Sequence, residues 1–276
     1  MRNLHKHITD ARTVMGLLIV GGIVTFVSIG TTATYNGASL FLATKSEFEV
    51  VTAKSVLVLD SDSNAVIYER NADEQRPIAS ITKLFTAYTA LRSKDIDTPV
   101  LIEWQDYSTE GSAGSLKLGE TYTLRDLLFP LLLSSSNDAG TAIERKLGYS
   151  TFQSSLKETY ADAGLSYTAL HDGTGLSSND VSTARDLATF LTYLRTKEPH
   201  ILDITTLRSY GGNYRGWINN DPGRSFESFR GGKHGYTTEA GRTFAGFFTT
   251  EHGEYTVVLL GSTDLLGDLD TILNLL

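Results

Sequence analysis

The sequence predicts an α/β protein of the α+β type, in which a mainly antiparallel sheet is flanked by helices and carries an inserted helical subdomain. Three observations favour this class. Runs of β-branched and apolar residues stand over 55–69, similar runs recur over 231–260, and apolar residues at helical spacing fill 80–194 between them. Strands at both ends with helices in between are typical of one sheet that both ends complete.

The first strand-like runs predict a hairpin. Residues 55–60 and 65–69 are rich in Val, Leu, Ile and Tyr, and they flank the turn-forming residues 61–64. A helix is predicted next over 80–91, because its apolar residues recur at helical spacing. Few polar residues interrupt them, which indicates a central helix buried on most of its surface.

The middle of the chain is predicted to be helical. Residues 123–147 contain two apolar helical stretches interrupted by the polar residues 134–137. Further helices are predicted over 152–163 and 182–194, and the loop 171–180 separates them.

The C-terminal third changes to a strand pattern. Residues 231–236, 243–249 and 255–260 are strand-like and are joined by turns that contain glycine. Residues 265–276 are predicted to close the chain as a helix. The strands at the two ends of the folded part are therefore expected to meet in one sheet.

The composition excludes several functional classes. The 276 residues carry a formal net charge of -8 and contain no long basic run, which argues against a nucleic-acid partner. Cys is absent, so disulfides, thiolate catalysis and Cys-ligated metals are excluded. The six His residues form no HExxH pattern, so neither a catalytic zinc site nor a cofactor is predicted.

The N-terminus predicts a membrane anchor. Residues 14–29 carry no charge, and with the uncharged residues up to 33 they approach the roughly 20 residues that span a bilayer. Arg2, Lys6 and Arg12 precede this run, and the next basic residue is Lys45. The positive-inside bias then leaves the N-terminus in the cytoplasm and the remainder on the extracytoplasmic side of the cell membrane.

This interpretation sets the expected domain organisation. Residues 1–13 are a cytoplasmic N-terminus, 14–34 a transmembrane signal anchor, 35–50 a tether and 51–276 the exported domain. A cleaved signal peptide is the alternative, although residues 31–33 (TTA) make a poor cleavage site.

A serine stands three residues before a lysine at two places. Ser80 and Lys83 lie at the start of the apolar helix, where free backbone N–H groups and the helix dipole favour developing negative charge. One turn apart, the Lys83 amine can reach the Ser80 oxygen. Ser154 and Lys157 lie on a polar helix, where a solvated face is the ordinary interpretation. For Ser80 the alternative is a simple helix cap, with Lys83 burying only its stem.

Two more polar patterns follow in order. Ser135 and Asn137 stand where two apolar helices meet, so their polar groups would be buried and would need partners. A turn that joins the helices is the alternative, and the similar residues 177–179 are assigned to turn chemistry. Lys233 and His234 lie in a glycine-rich strand, typical of a sheet edge that another chain approaches. In this order, the three patterns indicate a serine acyl-transfer site.

Five blocks of sequence stand in a recognisable order, namely residues 76–83 (RPIASITK), 132–139 (LLSSSNDA), 172–176 (DGTGL), 182–187 (STARDL) and 232–237 (GKHGYT). Together they resemble the D-alanyl-D-alanine carboxypeptidase family of low-molecular-mass penicillin-binding proteins. The resemblance covers residues 53–276 and implies the sheet and helical subdomain described above. It also implies a serine-type D-Ala-D-Ala carboxypeptidase that acts on peptidoglycan stem peptides and is inhibited covalently by β-lactam antibiotics.

The resemblance assigns the catalytic roles. Ser80 attacks the penultimate D-Ala carbonyl, Lys83 acts as its base, and Ser135 relays a proton to the leaving amine. Lys83 can accept a proton only as a neutral amine, and burial together with the nearby Lys233 cation would lower its pKa accordingly.

The resemblance also assigns the substrate-binding residues, which are Asn137, Lys233, His234, Tyr236 and Arg242. Asn137 is expected to hold the peptide backbone. Lys233 attracts the substrate carboxylate, and Arg242 is a weaker candidate for the same task. The backbone N–H groups of Ser80 and Tyr236 are expected to form the oxyanion hole.

His234 departs from the family pattern, which has Thr or Ser between the lysine and the glycine. That hydroxyl is expected to bind the terminal carboxylate of the substrate, so the replacement changes carboxylate recognition. An imidazole also donates, and more strongly when it is protonated, so binding is expected to improve at mildly acidic pH. A changed substrate, such as a crosslink cut by an endopeptidase, is a second possibility.

Two other functions are kept as alternatives. A β-lactamase of class A would be expected to carry an additional ExxxN motif, and after Glu198 the fourth residue here is Leu202. A catalytically impaired, membrane-tethered penicillin-binding-like module is the alternative without catalysis, suggested by His234.

Overall fold

The computed structural model of the chain describes residues 19–20, 23–24, 33–35, 38–40, 45–92, 95–111, 114–211 and 216–276. The chain divides into two units, Met1–Thr44 and Lys45–Leu276. In the first unit the described residues form two antiparallel pairs of short strands. These are β1 (Ile19–Val20) with β2 (Ile23–Val24) and β3 (Ala33–Tyr35) with β4 (Ala38–Leu40).

The predicted transmembrane helix over 14–34 falls mostly outside the described residues, as does the predicted cytoplasmic segment 1–13. Both therefore stay predictions. Within the described ranges, no helix combines the length and the apolar character needed to cross a bilayer.

The second unit is a mixed structure of strands and helices. Its strands are β5 (Ser55–Asp60), β6 (Val66–Arg70), β7 (Arg76–Pro77), β8 (Pro99–Leu101), β9 (Thr121–Thr123), β10 (Val181–Ser182), β11 (Ser209–Tyr210), β12 (Trp217–Ile218), β13 (Phe229–Thr237), β14 (Gly241–Thr250) and β15 (Gly253–Ser262). Its helices are α1 (Thr82–Leu91), α2 (Trp104–Tyr107), α3 (Leu124–Leu133), α4 (Asn137–Leu147), α5 (Tyr149–Ala163), α6 (Ala184–Lys197), α7 (Pro199–Thr206) and α8 (Leu265–Asn274). Short 3-10 helices cover Lys45–Val50, Ala79–Ile81 and Pro222–Ser225.

The main sheet has five antiparallel strands in the order β13-β14-β15-β5-β6. The N-terminal hairpin joins the C-terminal strands through β5 and β15, where Val58 pairs with Val257. This confirms the predicted sheet completed by both ends of the folded part. Strand β13 is left at one edge, and that edge carries residues 232–237 of the predicted site.

Both faces of this sheet are covered. On one face Leu57, Phe247 and Val258 belong to the same buried cluster as the helices α1, α3 and α6. Residues at alternate positions, such as Phe244 and Val257, are also fully buried but lie outside that cluster. Because successive side chains of a strand point to opposite faces, the sheet lies between two apolar layers.

Helix α1 is the central helix, as its apolar sequence predicts. All of its residues from Thr82 to Ala90 are buried, and it packs against α3, α4, α5 and α7. The Phe85 ring stacks on Phe190 of α6 with centroids 3.6 Å apart. A helix held on all sides is a rigid support for residues near its first turn.

The observed helices differ from the predicted ones in two ways. Helix α1 begins at Thr82, and Ser80 lies in the preceding 3-10 helix. The helices α2 and α7 were not predicted. Helix α2 has four residues, too few for a periodic pattern, and α7 begins with Pro199, which is favourable in a first turn but resembles a breaker in sequence.

The folded unit also includes Lys45–Val50, which the sequence assigned to the tether. Phe48 in this segment is 1% exposed and stacks on Tyr68 at 4.6 Å between ring centroids.

Candidate active site

The turn that carries Ser80 is pressed between two glycines. A Cβ on Gly175 would lie 2.0 Å from the Ala79 carbonyl oxygen, and one on Gly235 would lie 2.5 Å from the Ser80 backbone nitrogen. Ala79 itself has φ 49°, in the left-handed region that L residues rarely adopt. Backbone strain of this kind persists only where the surroundings hold it, so the position of Ser80 is defined from both sides.

Lys83 makes three hydrogen-bond contacts at the start of α1. Its Nζ lies 2.7 Å from Ser80 Oγ, 2.8 Å from Asn137 Oδ1 and 2.6 Å from the Thr174 carbonyl oxygen. The Asn137 amide is oriented by its own Nδ2, which donates to the Glu110 carbonyl at 2.6 Å. The oxygen of the Asn137 side chain therefore faces Lys83.

These three contacts match the bonding capacity of a neutral amine. The Asn137 and Thr174 oxygens can only accept, so each takes one N–H of Lys83. A neutral amine has two N–H groups and one lone pair. The lone pair is then left for the hydroxyl hydrogen of Ser80, which is the arrangement that a base needs.

The surroundings of Lys83 favour the neutral form. The side chain is fully buried, and this burial lowers its pKa well below the usual range. The Lys233 cation lowers the pKa further, while the carboxylates of Asp172 and Asp180 oppose the shift. Burial is the dominant cause, since removing a charge from water is costly unless it is paired.

The Thr174 carbonyl is placed by a turn around Asp172. Its carboxylate accepts hydrogen bonds from the backbone N–H groups of Thr174, Gly175 and Ser177 at 2.6, 2.7 and 2.9 Å. Burial raises the pKa of Asp172, but these bonds outweigh it and hold the pKa below the usual range. The ionised carboxylate thus anchors the loop that holds Lys83.

The three consecutive serines before α4 have different partners. Ser134 Oγ donates to the Pro130 carbonyl at 3.1 Å, and Ser136 Oγ accepts from the Ala139 N–H at 3.0 Å as the cap of α4. Ser135 is buried with φ 58°, and its hydroxyl has no hydrogen-bond partner in the described part of the chain. Ser135 is the serine predicted to relay a proton, and no hydrogen bond among the described residues joins it to Ser80 or Lys83.

The free edge of β13 presents its N–H groups outward. The Gly232 N–H donates to Thr205 Oγ1 at 3.0 Å and the His234 N–H to Asp221 Oδ2 at 2.7 Å, both beyond the sheet. Because N–H directions alternate along an edge strand, the Tyr236 N–H faces the same edge. It lies next to Gly235, whose Cα approaches the Ser80 nitrogen. The two N–H groups of the predicted oxyanion hole are therefore neighbours.

Lys233 lies fully buried on β13. Its Nζ donates to the His234 carbonyl at 2.8 Å, and this is its one hydrogen bond within the described ranges. Burial lowers the pKa of Lys233 to about 8, and the charge of Asp221 opposes that shift. An ammonium with unused donors suits the attraction of an anionic substrate group.

His234 is partly buried beside Asp221. Its Nδ1 lies 3.0 Å from Asp221 Oδ2, which also accepts from the His234 backbone N–H. Burial lowers the pKa of His234, the Lys233 cation lowers it further, and Asp221 opposes both.

Tyr236 and Arg242 lie outside the buried cluster. They are a cross-strand pair of β13 and β14, and the Arg242 guanidinium lies 5.5 Å from the centroid of the exposed Tyr236 ring. Arg242 is also exposed, and its weaker role in binding the carboxylate stays a prediction.

The structure thus joins Ser80, Lys83 and Asn137 by hydrogen bonds and brings β13 against them. Sequence reasoning missed the Thr174 and Glu110 carbonyls, because a backbone acceptor leaves no mark on residue type. It also missed Asp221. Residues 172–176 did stand out, as part of the predicted loop 171–180 and as one of the blocks that resemble the family.

The remaining patterns behave as ordinary surface features. Lys157 of the second serine-lysine pair is exposed on α5, and residues 177–179 form a turn in which the Asn179 N–H donates to Ser177 Oγ. In the described residues, no group of three His, Asp or Glu side chains could hold a metal ion.

The chain is similar to known D-alanyl-D-alanine peptidases. It is 31% identical to the D-alanyl-D-alanine endopeptidase of Escherichia coli K12 over 60% of this chain and 54% of the relative. It is also 31% identical to the D-alanyl-D-alanine carboxypeptidase DacB2 of Mycobacterium tuberculosis H37Rv, over 70% of this chain and 69% of that protein. The chain spans about half the length of the curated endopeptidases that it matches.

A solved structure and a family profile give the same similarity. The crystal structure of a D-alanyl-D-alanine carboxypeptidase from Mycobacterium tuberculosis H37Rv matches with a TM-score of 0.74 and 26% identity, over 82% of this chain and 90% of that one. Residues 42–263 match the profile of the D-alanyl-D-alanine carboxypeptidase family. With most of its length matched and the predicted serine, lysine and asparagine in contact, the chain belongs to the D-alanyl-D-alanine carboxypeptidase family.

Proposed function

We propose that this chain is a serine-type D-Ala-D-Ala peptidase that acts on peptidoglycan stem peptides through an acyl-enzyme on Ser80. One observation carries the proposal. The Lys83 amine lies 2.7 Å from Ser80 Oγ with its two N–H groups already committed to carbonyl oxygens. In the neutral amine, which burial favours, only the lone pair remains for Ser80, and the hydroxyl is then held by a base.

The proposed reaction uses the residues described above. Lys83 takes the Ser80 proton while Oγ attacks the penultimate D-Ala carbonyl, and the N–H groups of Ser80 and Tyr236 stabilise the oxyanion. The proton taken up by Lys83 passes through Ser135 to the leaving amine, the bond between this nitrogen and the carbonyl carbon breaks, and D-Ala departs. Water hydrolyses the acyl-enzyme and frees Ser80. Lys233 attracts the terminal carboxylate of the substrate.

An endopeptidase that cuts peptide crosslinks is the second candidate. His234 stands where the family hydroxyl would bind a terminal carboxylate, and relatives at 31% and 36% identity are named D-alanyl-D-alanine endopeptidases. In a crosslink the group beyond the scissile bond is joined to a further peptide. The same Ser80 chemistry serves both substrates.

Fluorescent penicillin labelling tests the proposal. We expect stable labelling of the purified chain and none of Ser80→Ala, while Ser154→Ala, a change in the second serine-lysine pair, labels normally. Rapid turnover of the label would instead indicate a β-lactamase, and no labelling an impaired module. Release of D-Ala from a pentapeptide, compared with cleavage of a crosslinked dimer, distinguishes carboxypeptidase from endopeptidase.

We also propose that the peptidase is anchored in the cell membrane by its N-terminus, with the catalytic unit on the extracytoplasmic side. The uncharged residues 14–29, preceded by Arg2, Lys6 and Arg12, support this. Protease treatment of intact spheroplasts is expected to degrade the catalytic unit, and release of the chain by high salt would contradict the anchor.

A further inference from the structure

A buried carboxylate lies behind His234, the residue at which the chain departs from the family pattern. Asp221 Oδ2 accepts from the His234 backbone N–H at 2.7 Å and lies 3.0 Å from His234 Nδ1. The other oxygen, Oδ1, accepts from the Gly223 N–H at 2.9 Å. The Asp221 side chain is 2% exposed. The Asp221 carboxylate is therefore surrounded by hydrogen-bond donors of the protein, and little water can compete for its oxygens.

These donors keep Asp221 ionised. Burial raises its pKa, but the hydrogen bond from His234, the charges of His234 and Lys233 and the Gly223 N–H lower it, and the net pKa is below the usual range. An ionised carboxylate accepts hydrogen bonds and donates none. Nδ1 of His234 must therefore carry its hydrogen whether the ring is neutral or protonated.

The state of the other ring nitrogen follows. A neutral imidazole has a single N–H, so with Nδ1 protonated Nε2 presents only a lone pair. In the protonated ring Nε2 becomes an N–H donor. A threonine hydroxyl at this position would rotate to donate or accept as the ligand requires. The His234 ring cannot switch between donating and accepting in this way. Whether Nε2 binds an acceptor or a donor group of the ligand therefore depends on the charge of the ring.

We infer that Asp221 is a positioning residue that fixes the tautomer of His234 and so decides which terminal group the site accepts. In the protonated ring Nε2 donates a hydrogen bond to a free carboxylate. In the neutral ring Nε2 accepts a hydrogen bond from an amide N–H. The inference rests on the proposed function, in which His234 faces the group beyond the scissile bond.

The charges around His234 set the direction of the pH dependence. Lys233 lies on its own strand, Lys83 on α1, and Asp221 next to the 3-10 helix Pro222–Ser225. Burial and the Lys233 cation lower the pKa of His234, and Asp221 opposes them, with a net lowering. The ring is thus neutral at pH 7. Selectivity for a free carboxylate appears as the pH falls below the ordinary histidine range.

The tautomer can be measured without any turnover. We expect ¹⁵N NMR of the full chain with labelled histidine, at pH 7.5, to show the His234 ring with a hydrogen on Nδ1 and none on Nε2. The signal is assigned by its absence from His234→Thr. A ring protonated on Nε2, or one that exchanges between the two forms, overturns the inference.

Selectivity is measured with two peptides that differ only at the end, one with a terminal D-Ala-D-Ala carboxylate and one with the carboxamide. The ratio of kcat/KM for acid over amide is expected to rise about tenfold on acidification from pH 7.5 to 4.5, as one charge-assisted hydrogen bond is gained. Asp221→Asn removes the anion that raises the pKa of His234, so this rise moves to lower pH.

His234→Thr is expected to flatten the ratio. Adding Asp221→Asn to His234→Thr then changes nothing further, which separates positioning from a general loss of structure. A flat ratio in the unaltered chain, or an equal Asp221→Asn effect in both backgrounds, contradicts the inference. If neither peptide is cleaved and penicillin does not label Ser80, the proposed function fails, while the Nδ1-protonated ring still supports the Asp221–His234 pairing.

Discussion

Gly235 of β13 lies so close to Ser80 that a Cβ on it would stand 2.5 Å from the Ser80 backbone nitrogen. The same Cβ would lie 2.9 Å from the Ala79 Cβ. The edge of the sheet and the turn that carries Ser80 therefore meet without room for one more methyl group. This contact sets the separation of the two N–H groups that we assign to the oxyanion hole.

Gly235→Ala is expected to separate the turn from the strand edge. The N–H groups of Ser80 and Tyr236 can then no longer both donate to the same oxyanion. The loss of a single donor from such a site lowers the rate of acylation by about 10²- to 10³-fold. The rate of penicillin acylation measures this. Gly211→Ala is the matched control, since a Cβ there meets nothing within 4 Å. Equal acylation rates in the two variants would contradict the assignment.

Lys83→Met is expected to remove the base and leave Ser80 chemically inert. The loss of acylation should be at least about 10²-fold, the smallest contribution typical of general base catalysis. Lys157→Met changes the lysine of the second serine-lysine pair on the exposed face of α5 and should acylate at the normal rate. A Lys83→Met chain that acylates as fast as Lys157→Met would show that another group takes the proton.

The sequence predicted the parts of this site that depend on residue type. Ser80 and Lys83 stood out at the start of an apolar helix and Asn137 between two apolar helices, and the structure brings all three into contact. The strand patterns at the two ends predicted one sheet that both ends complete, while the order of its strands came from the structure. Such features are predictable because burial makes each polar exception conspicuous.

Other parts of the site were not predictable. Thr174 and Glu110 act through backbone oxygens, and such groups are the same in every residue. Asp221 stands before Pro222, and the Asp-Pro pair resembles an ordinary turn. Its partner His234 is 13 positions away, so only the folded chain shows the pair.

Loss of the Lys233 charge is expected to limit activity on peptides with a free terminal carboxylate at alkaline pH. Its pKa is lowered to about 8, so the side chain is charged below that pH and neutral above it. The kcat/KM for a peptide with a free terminal carboxylate should fall as the pH rises through 8. The matched carboxamide peptide does not need this cation and should show a weaker fall between pH 7 and 9.5. If kcat/KM fell equally for the two peptides at alkaline pH, a group other than Lys233 would cause the fall.

The Asp172 carboxylate is expected to control Lys83 from a distance. Asp172→Ala removes the acceptor of the Thr174, Gly175 and Ser177 N–H groups and releases the loop whose carbonyl binds Lys83. Because its pKa is held below the usual range, the ionised carboxylate stabilises the fold at neutral pH, and this contribution is lost as the pH falls through that lowered value. We expect a loss of about 1 to 3 kcal/mol in the free energy of unfolding.

Asp60→Ala is the control that separates stability from activity. Asp60 Oδ1 likewise accepts from the backbone N–H groups of Asp62 and Ser63, but in the exposed turn between β5 and β6. Denaturant titration should show a smaller destabilisation for Asp60→Ala, with penicillin acylation at the normal rate for the folded fraction. Asp172→Ala should instead acylate at least about tenfold more slowly even where it is fully folded, since a released Thr174 carbonyl no longer orients the Lys83 amine towards Ser80. If the folded Asp172→Ala chain acylated as fast as Asp60→Ala, the loop would stabilise the fold without positioning the base.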